Sequence, residues 1–454
     1  MSLHSPSEAP TSVRHSVVCV TFFTAFILYL DRNCMGEIVK SDVFRAEFGG
    51  DMNAIKDALS GFYLAYALFQ VPAGWLSDRF GARGMMTFYI VLWSLCTYLM
   101  GCASGLGMIF AARLGLGVAQ AGAYPTSGSL LGRWIPVAKR ARANSLVAFG
   151  GRVGGSAAPL LSAALMTLIV GFSIGGFLIA GWRVALVLYG LIGLGIAAWF
   201  WRSFRDRPGD HPDCNAAERK LIAGGEAPPM PGVGQGRVGA VESLRQLGGT
   251  LRGLVCSGSM WLMCIVGWGT NVGWVFLVVW LPSYLKDVQA LGDVKGGLLV
   301  TVVLSIGMFG MLLGGWVTDY TTRRYGLRWG RILPLSLSRF AAALAYIGCL
   351  YFESVWMLIA AFALVSFATD FGTGAIWGFY QDVGGKQVGA VFGWANMWGN
   401  LGAAAAIAYL PNILTAWDTN HDWHEAFIVG AIGFILAGLA GLGLRPDRQI
   451  AGTA

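Results

Sequence analysis

The 454-residue chain sets a few ionisable and amide side chains among residues that are almost all apolar. Asp31 and Arg32 lie in the run 16–36, Arg113 and Gln120 in 106–131, Arg152 in 142–170 and Asp370 in 354–379. A charge at the centre of a bilayer costs at least about 2.5–3.5 kcal/mol, so each asks for a functional reason. Their chemistry is that of an anion site with a proton relay. Arginine keeps its charge and offers a planar fork to carboxylate, phosphate or sulfonate. An intramembrane carboxylate can take up and release a proton. Gln120 can hydrogen-bond a ligand but carries no proton, and it is equally suited to packing.

Depth sharpens the set. At about 1.5 Å per residue, Asp31 and Arg32 lie roughly 22 Å from the inner edge, and Arg113 on an oppositely running helix reaches the same level. An Asp31–Arg113 pair would leave Arg32 facing a ligand. Pairing of Asp31 with Arg32 is the alternative, but adjacent helical residues point about 100° apart. Arg152 sits about 15 Å in, too deep to snorkel, and Gly150, Gly151, Gly154 and Gly155 are read as room for its guanidinium. It serves either as a ligand fork or as a hydrogen-bond donor to a broken backbone. Asp370, about 20 Å from the outer edge, is a proton carrier, a ligand contact or the partner of Arg152. Arg339, only about 12 Å in, is expected to snorkel as a structural cation. Tyr63, Tyr66 and Gln70 share a face at i, i+3 and i+7. With Tyr29, Tyr124, Asn271, Trp377, Asn396 and Asn400 they form the expected cavity lining, each also an ordinary packing residue.

The elements that position these residues are membrane helices. The chain is 56% hydrophobic and 12% charged, with mean hydropathy +0.60, against about 25% charged residues in a soluble domain. About 20 apolar residues make a span. Twelve are read, near 16–36, 56–77, 85–103, 106–131, 142–170, 178–202, 258–284, 296–318, 331–351, 354–379, 388–412 and 424–444. The expected fold is all-α and integral to the membrane. Residues 1–202 form a first six-helix bundle, 203–257 a cytoplasmic linker and 258–454 a second bundle. The linker is too short and too rich in glycine and proline for a core of its own. With both termini cytoplasmic, about 22 of the 32 Lys and Arg residues fall inside, as the positive-inside rule requires. The polar N-terminus lacks the apolar core of a signal peptide.

The halves repeat. Gly74-Trp75-Leu76-Ser77-Asp78-Arg79, leading to Gly81 and Arg83, matches Gly315-Trp316-Val317-Thr318-Asp319-Tyr320 ahead of Arg323. Ala148–Gly154 of span 5 matches Asn396–Gly402 of span 11. Duplicated bundles of this kind bind substrate near the bilayer midplane. Asp78 closes span 2, where it opposes the helix dipole and needs partners. Arg79, Arg83 and the start of span 11 near Gly389 are the candidates. Gly74, Asp78, Arg79, Gly81, Arg83, Asp319 and Arg323 are read as two cytoplasmic gates, unequal because the second copy has lost the tidy spacing.

On Tyr29-Leu30-Asp31-Arg32-Asn33, Gly74–Arg83, Arg113-x-x-x-Gly117, Pro125, Trp134-x-Pro136 with Arg140 and Ala141, and Trp280-Leu281-Pro282-x-Tyr284-Leu285, the chain resembles the anion:cation symporter branch of the major facilitator superfamily. The resemblance covers nearly the whole chain. It implies proton-coupled movement of an organic anion by alternating access. Arg32 then corresponds to the substrate-carboxylate ligand and Asp31 to a protonation site coupled to Arg113. The chain departs where relatives carry Glu in Arg-x-x-x-Gly-x-x-Glu and it carries Gln120, and where relatives carry Gln or Asn and it carries Arg152. Both changes make the cavity more positive and point to a strongly anionic substrate: a dicarboxylate, a sugar acid, or a phosphorylated or sulfonated compound.

The expected partners are such an anion, protons and the lipid of an inner membrane, with no cofactor, no metal and no nucleic acid, in a monomer. An organophosphate exchanger is the near alternative, although Trp261–Trp280 lacks the second arginine such proteins place in span 7. Proton-independent transport and a transport-inactive sensor are the others. No H-E-x-x-H or P-loop motif is present. His421 and His424 with Asp418, Asp422 and Glu425 read as a solvated loop rather than a metal site, and the eight cysteines form no C-x-x-C pair.

Overall fold

The computed structural model describes residues 9–169, 172–174, 177–223, 240–417 and 423–450. Span 1 is Val13–Ile38, span 2 Met52–Phe80 and span 3 Ala82–Gly101. Span 4 is broken into Leu106–Ala121 and Ala123–Trp134. Span 5 is Arg140–Leu168 and span 6 Gly181–Ser203. A two-stranded antiparallel pair, Phe172–Ile174 with Phe177–Ile179, lies between them, where the sequence reads as an apolar stretch with a turn between spans 5 and 6. Span 7 runs Gly258–Val275, loosens into a π turn at Phe276–Trp280 and resumes over Leu281–Asp287. Spans 8 and 9 are one helical stretch, Asp293–Cys349, interrupted at Gly326, whose φ of 77° breaks the helix. Span 10 is again broken, into Val355–Phe371 and Thr373–Val383. Span 11 is Val388–Trp417 and span 12 His424–Leu442.

Eight helices among the described residues are long and apolar enough to cross a membrane, and the one at Val294–Cys349 holds two of the expected spans. Spans 2, 5 and 11 are 29, 29 and 30 residues long. They are long enough by length but less apolar, because they carry Asp78, Arg140, Arg152, Asn396 and Asn400.

The described chain packs as two units. The first holds 1–137, 147–237 and 386–393; the second holds 138–146, 238–385 and 394–454. Each unit thus contains the opening turn of a helix whose body belongs to the other. Within the first unit, span 2 packs on span 4 and span 3 on span 6. Within the second, the stretch holding spans 8 and 9 packs on spans 10 and 12, and span 7 packs on span 12. Glycine lets the backbones close: a Cβ on Gly117 would fall 2.4 Å from the Phe62 carbonyl, and one on Gly314 2.0 Å from that of Phe371.

The region 203–257 is more ordered than a bare linker. It holds helices Ala216–Ala223 and Ala240–Cys256. Glu218 accepts bonds from the Thr11 hydroxyl, the Val13 and Arg14 N–H groups (3.2 and 3.1 Å) and the Arg14 guanidinium (2.8 Å), so it caps span 1. The prolines and glycines of 227–236 lie outside the described residues, as do Asp418, His421 and Asp422.

Candidate functional site

In the first unit, Arg32 is the centre of an aromatic cradle. Its guanidinium carbon lies 4.7 Å from the Tyr29 ring centroid, 5.1 Å from Phe62 and 4.4 Å from Tyr66. Its Nε donates to Gln120 Oε1 at 3.2 Å, and Gln120 Nε2 donates to the Leu28 carbonyl at 3.0 Å. Gln120 is therefore the bracket that holds Arg32 to span 1. Of the two terminal nitrogens of the fork, NH2 has no protein partner among the described residues. A guanidinium stacked on aromatic rings keeps its charge. Tyr124 packs against Tyr29 with ring centroids 6.0 Å apart.

Arg113 and Asp31 do not form the expected pair. Both are buried, but Arg113 lies over the Phe62 ring at 4.8 Å, so one phenyl ring carries two guanidinium groups. Neither Asp31 oxygen makes a hydrogen bond of ordinary length, and Thr97 faces it. Phe62 was not among the expected site residues; its signal was its place directly before Tyr63 on a helix facing span 4.

Other expectations need correction. Tyr63 is 65% exposed, whereas Tyr66 and Gln70 on the same helix are 5% and 0% exposed. Gln70 lies under the opening turn of span 11, where a Cβ on Gly393 would meet its carbonyl at 2.3 Å. The glycines around Arg152 do not make room for it. A Cβ on Gly150 or Gly154 would strike the Phe22 or Phe26 carbonyl (2.7 and 2.1 Å), and one on Gly151 the Tyr124 hydroxyl (2.4 Å). Their role is to let span 5 lie against span 1, while Arg152 itself is half-buried.

In the second unit, Asp370 and Trp377 are buried on span 10, and Asn396 and Asn400 are half-buried on span 11, with Asn400 Nδ2 donating to the Asn396 carbonyl at 2.7 Å. Arg339 does not snorkel. It is 1% exposed and donates to the carbonyls of Ala368 and Thr369, both at 3.0 Å.

The two gate motifs make one bond pattern twice. Asp78 accepts the N–H groups of Gly389 and Ala390, both at 3.0 Å, and the Ser129 hydroxyl at 3.1 Å. Asp319 accepts those of Ala141 and Arg142 at 3.0 and 3.1 Å, with the Arg142 guanidinium at 3.5 Å. In each case the donors are the second and third residues of a helix, whose N–H groups have no intrahelical partner. Among the expected partners of Asp78, the start of span 11 meets it. Gly74 makes the approach possible, since a Cβ there would fall 2.1 Å from the Gly389 carbonyl. Arg83 instead turns to Trp201, stacking at 4.0 Å and donating to its carbonyl. Arg79 lies beside Trp75 and Phe80. Gly81, at φ 90°, sits against the Asp206 carboxylate. Arg323 is exposed and takes no part in the second cap. A further buried cluster went unread: Asp382 bridges Arg140 at 3.2 Å and Arg331 at 2.9 Å.

Residues 21–407 match the family model described as Major Facilitator Superfamily. The chain is 27% identical to the probable galactarate/D-glucarate transporter of Escherichia coli (strain K12), over 98% of this chain and 96% of that one. It is 27% identical to the probable sulfoacetate transporter of Cupriavidus necator, over 84% and 83%. Among solved structures, the proton:xylose symporter XylE bound to 6-bromo-6-deoxy-D-glucose is similar in fold, with a TM-score of 0.63 at 14% identity over 95% of each chain.

Proposed function

The chain belongs to the Major Facilitator Superfamily, and we propose that it moves a small, strongly anionic organic compound across the inner membrane by alternating access, coupled to protons. The observation that carries this reading is Arg32, held by Gln120 and three rings with a fork nitrogen left for a ligand. A carboxylate or sulfonate docks on that fork with charge-assisted bonds of about 1.5–3 kcal/mol each. Arg113, over the same Phe62 ring, adds positive potential. Arg152, where a neutral amide is the commoner residue in the resembled branch, supplies a second cation and favours a dianion. Relatives that carry galactarate, glucarate and sulfoacetate support that class. Asp31, fully buried and lacking an ordinary hydrogen bond, is the first candidate to accept a proton. The excess of Lys and Arg in the loops between spans supports cytoplasmic termini.

Counterflow into proteoliposomes tests the reading, with labelled galactarate, glucarate, sulfoacetate and, for comparison, glucose 6-phosphate. One of the first three is expected to exchange fastest. Arg32→Gln removes the charge and the guanidinium fork, and should weaken that anion about 30-fold or more, from roughly 2–5 kcal/mol for an unpaired buried partner. No flux with any of the four, or fastest flux with the phosphate ester, overturns it.

A further inference from the structure

Spans 4 and 10 break in the same way. Gly122 follows the first half of span 4 at φ −83°, ψ −14°, its N–H bonded to the Gln120 carbonyl. Gly372 follows the first half of span 10 at φ −73°, ψ −10°, its N–H bonded to the Asp370 carbonyl. Each break is filled from the third helix of its own half. A Cβ on Gly122 would fall 2.2 Å from the Tyr89 ring, and one on Gly372 2.9 Å from the Arg339 guanidinium. Tyr89 and Arg339 are separated along the chain by the same number of residues as Gln120 and Asp370. They are equivalent positions of the repeat. The copies therefore differ twice in one place. The first has an amide and a phenol, with the Tyr89 hydroxyl donating to the Ala73 carbonyl at 2.8 Å. The second has a carboxylate and a guanidinium.

That second pair is built in. Asp370 is 2% exposed and Arg339 1%. The Arg339 bonds to the Ala368 and Thr369 carbonyls fix the guanidinium to the turn that carries Asp370. On the opposite side the carboxylate rests on Gly307, where a Cβ would fall 3.0 Å from Asp370 Oδ2. The titratable groups around it are Arg339 from span 9, Tyr380 from the second half of span 10 and, beyond Tyr380, Cys264 of span 7. The span 8 face presents Gly307 and Gly310 and no ionisable side chain. Ionised, Asp370 offsets Arg339. Protonated, it leaves one buried positive charge of the second unit uncompensated.

We propose that Asp370, at the repeat position that Gln120 occupies in the first half, is a second proton carrier of this transporter, with Arg339 as its fixed counter-charge. The step is an uptake of one proton by the carboxylate on one side of the membrane and its release to water on the other. The proposal rests on the proton-coupled reading above.

The test is accumulation of labelled galactarate in proteoliposomes driven by one pH unit, with the potential clamped by valinomycin and equal potassium, alongside counterflow without a gradient. One proton fewer per anion lowers the equilibrium accumulation ratio about tenfold per pH unit. Asp370→Asn is expected to show that loss while exchange continues at a measurable rate. Should Asp370→Asn fail to assemble, Arg339→Gln with Asp370→Asn removes both charges together and should show the same tenfold loss. An unchanged ratio in a folded variant, or loss of exchange together with accumulation, overturns the proposal. A wild-type protein that exchanges galactarate but ignores the pH gradient overturns proton coupling itself, and this carrier with it.

Discussion

Arg32 and Arg152 both stood out in the sequence for one reason, the cost of burying a guanidinium, and the structure separates them. Arg32 was legible because its motif and depth agreed. What holds it was not, since Gln120 and the three rings come from spans 1, 2 and 4 and only their packing brings them together. Arg152 was read through its glycines, and that reading failed. A glycine next to a large side chain looks like clearance, whereas here the missing Cβ atoms admit the span 1 backbone. A ligand role for Arg152 now rests on its charge and depth. Arg152→Gln is expected to weaken binding of a dianion such as galactarate about 10- to 100-fold, from one charge-assisted contact of roughly 1.5–3 kcal/mol, while a monoanion such as galactonate changes less than about threefold. Isothermal titration of both ligands checks this. Equal affinities with a lowered melting temperature would make the residue structural.

At the scale of elements, the sequence showed the repeat and suggested a weaker second gate, whereas the bonds at Asp78 and Asp319 follow one pattern. Loss of spacing after Asp319 suggested a weaker copy, because spacing is what a linear reading can compare. The bonds depend instead on where the helix ends meet. Gly315, the copy of Gly74, has its open face against Ser145 and the Ala141 carbonyl, and Asp319 then reaches the same two N–H positions that Asp78 reaches. A carboxylate at a helix start satisfies orphan donors and favours the positive end of the helix dipole. Asp78→Asn and Asp319→Asn should therefore lower stability by similar amounts, about 0.5–2 kcal/mol each by analogy with lost N-caps. Thermal unfolding in detergent reads the two side by side. A clearly milder effect for Asp319→Asn would restore the unequal-gate view. The helix breaks at Gly122 and Gly372 were equally invisible, since neither glycine takes a φ that would mark it and both lie in otherwise apolar runs.

At the scale of the whole molecule, twelve spans and a polar middle were readable from hydropathy, because an apolar run must either cross the membrane or be buried, and the duplication was readable from the matching motifs. What hydropathy did not show is that the middle segment reaches back to the beginning of the chain. Glu218 lies on a short polar helix with nothing in its local pattern to mark it. Its partners Thr11, Val13 and Arg14 are some 200 residues away in sequence. Burial alone would raise the Glu218 pKa. The Thr11 hydroxyl, the two N–H groups and the Arg14 guanidinium outweigh it and hold the carboxyl below its ordinary value. A carboxylate with a lowered folded pKa stabilises the folded state above its unfolded pKa, and that contribution disappears as pH falls through the folded value. Glu218→Gln should then lower the melting temperature at pH 7, by a loss of about 1–3 kcal/mol from charge-assisted bonds. The gap between wild type and variant should close as the pH is taken below the ordinary carboxylate range. A gap that stays constant from pH 7 down to about pH 3 would mean that shape rather than charge joins this helix to span 1.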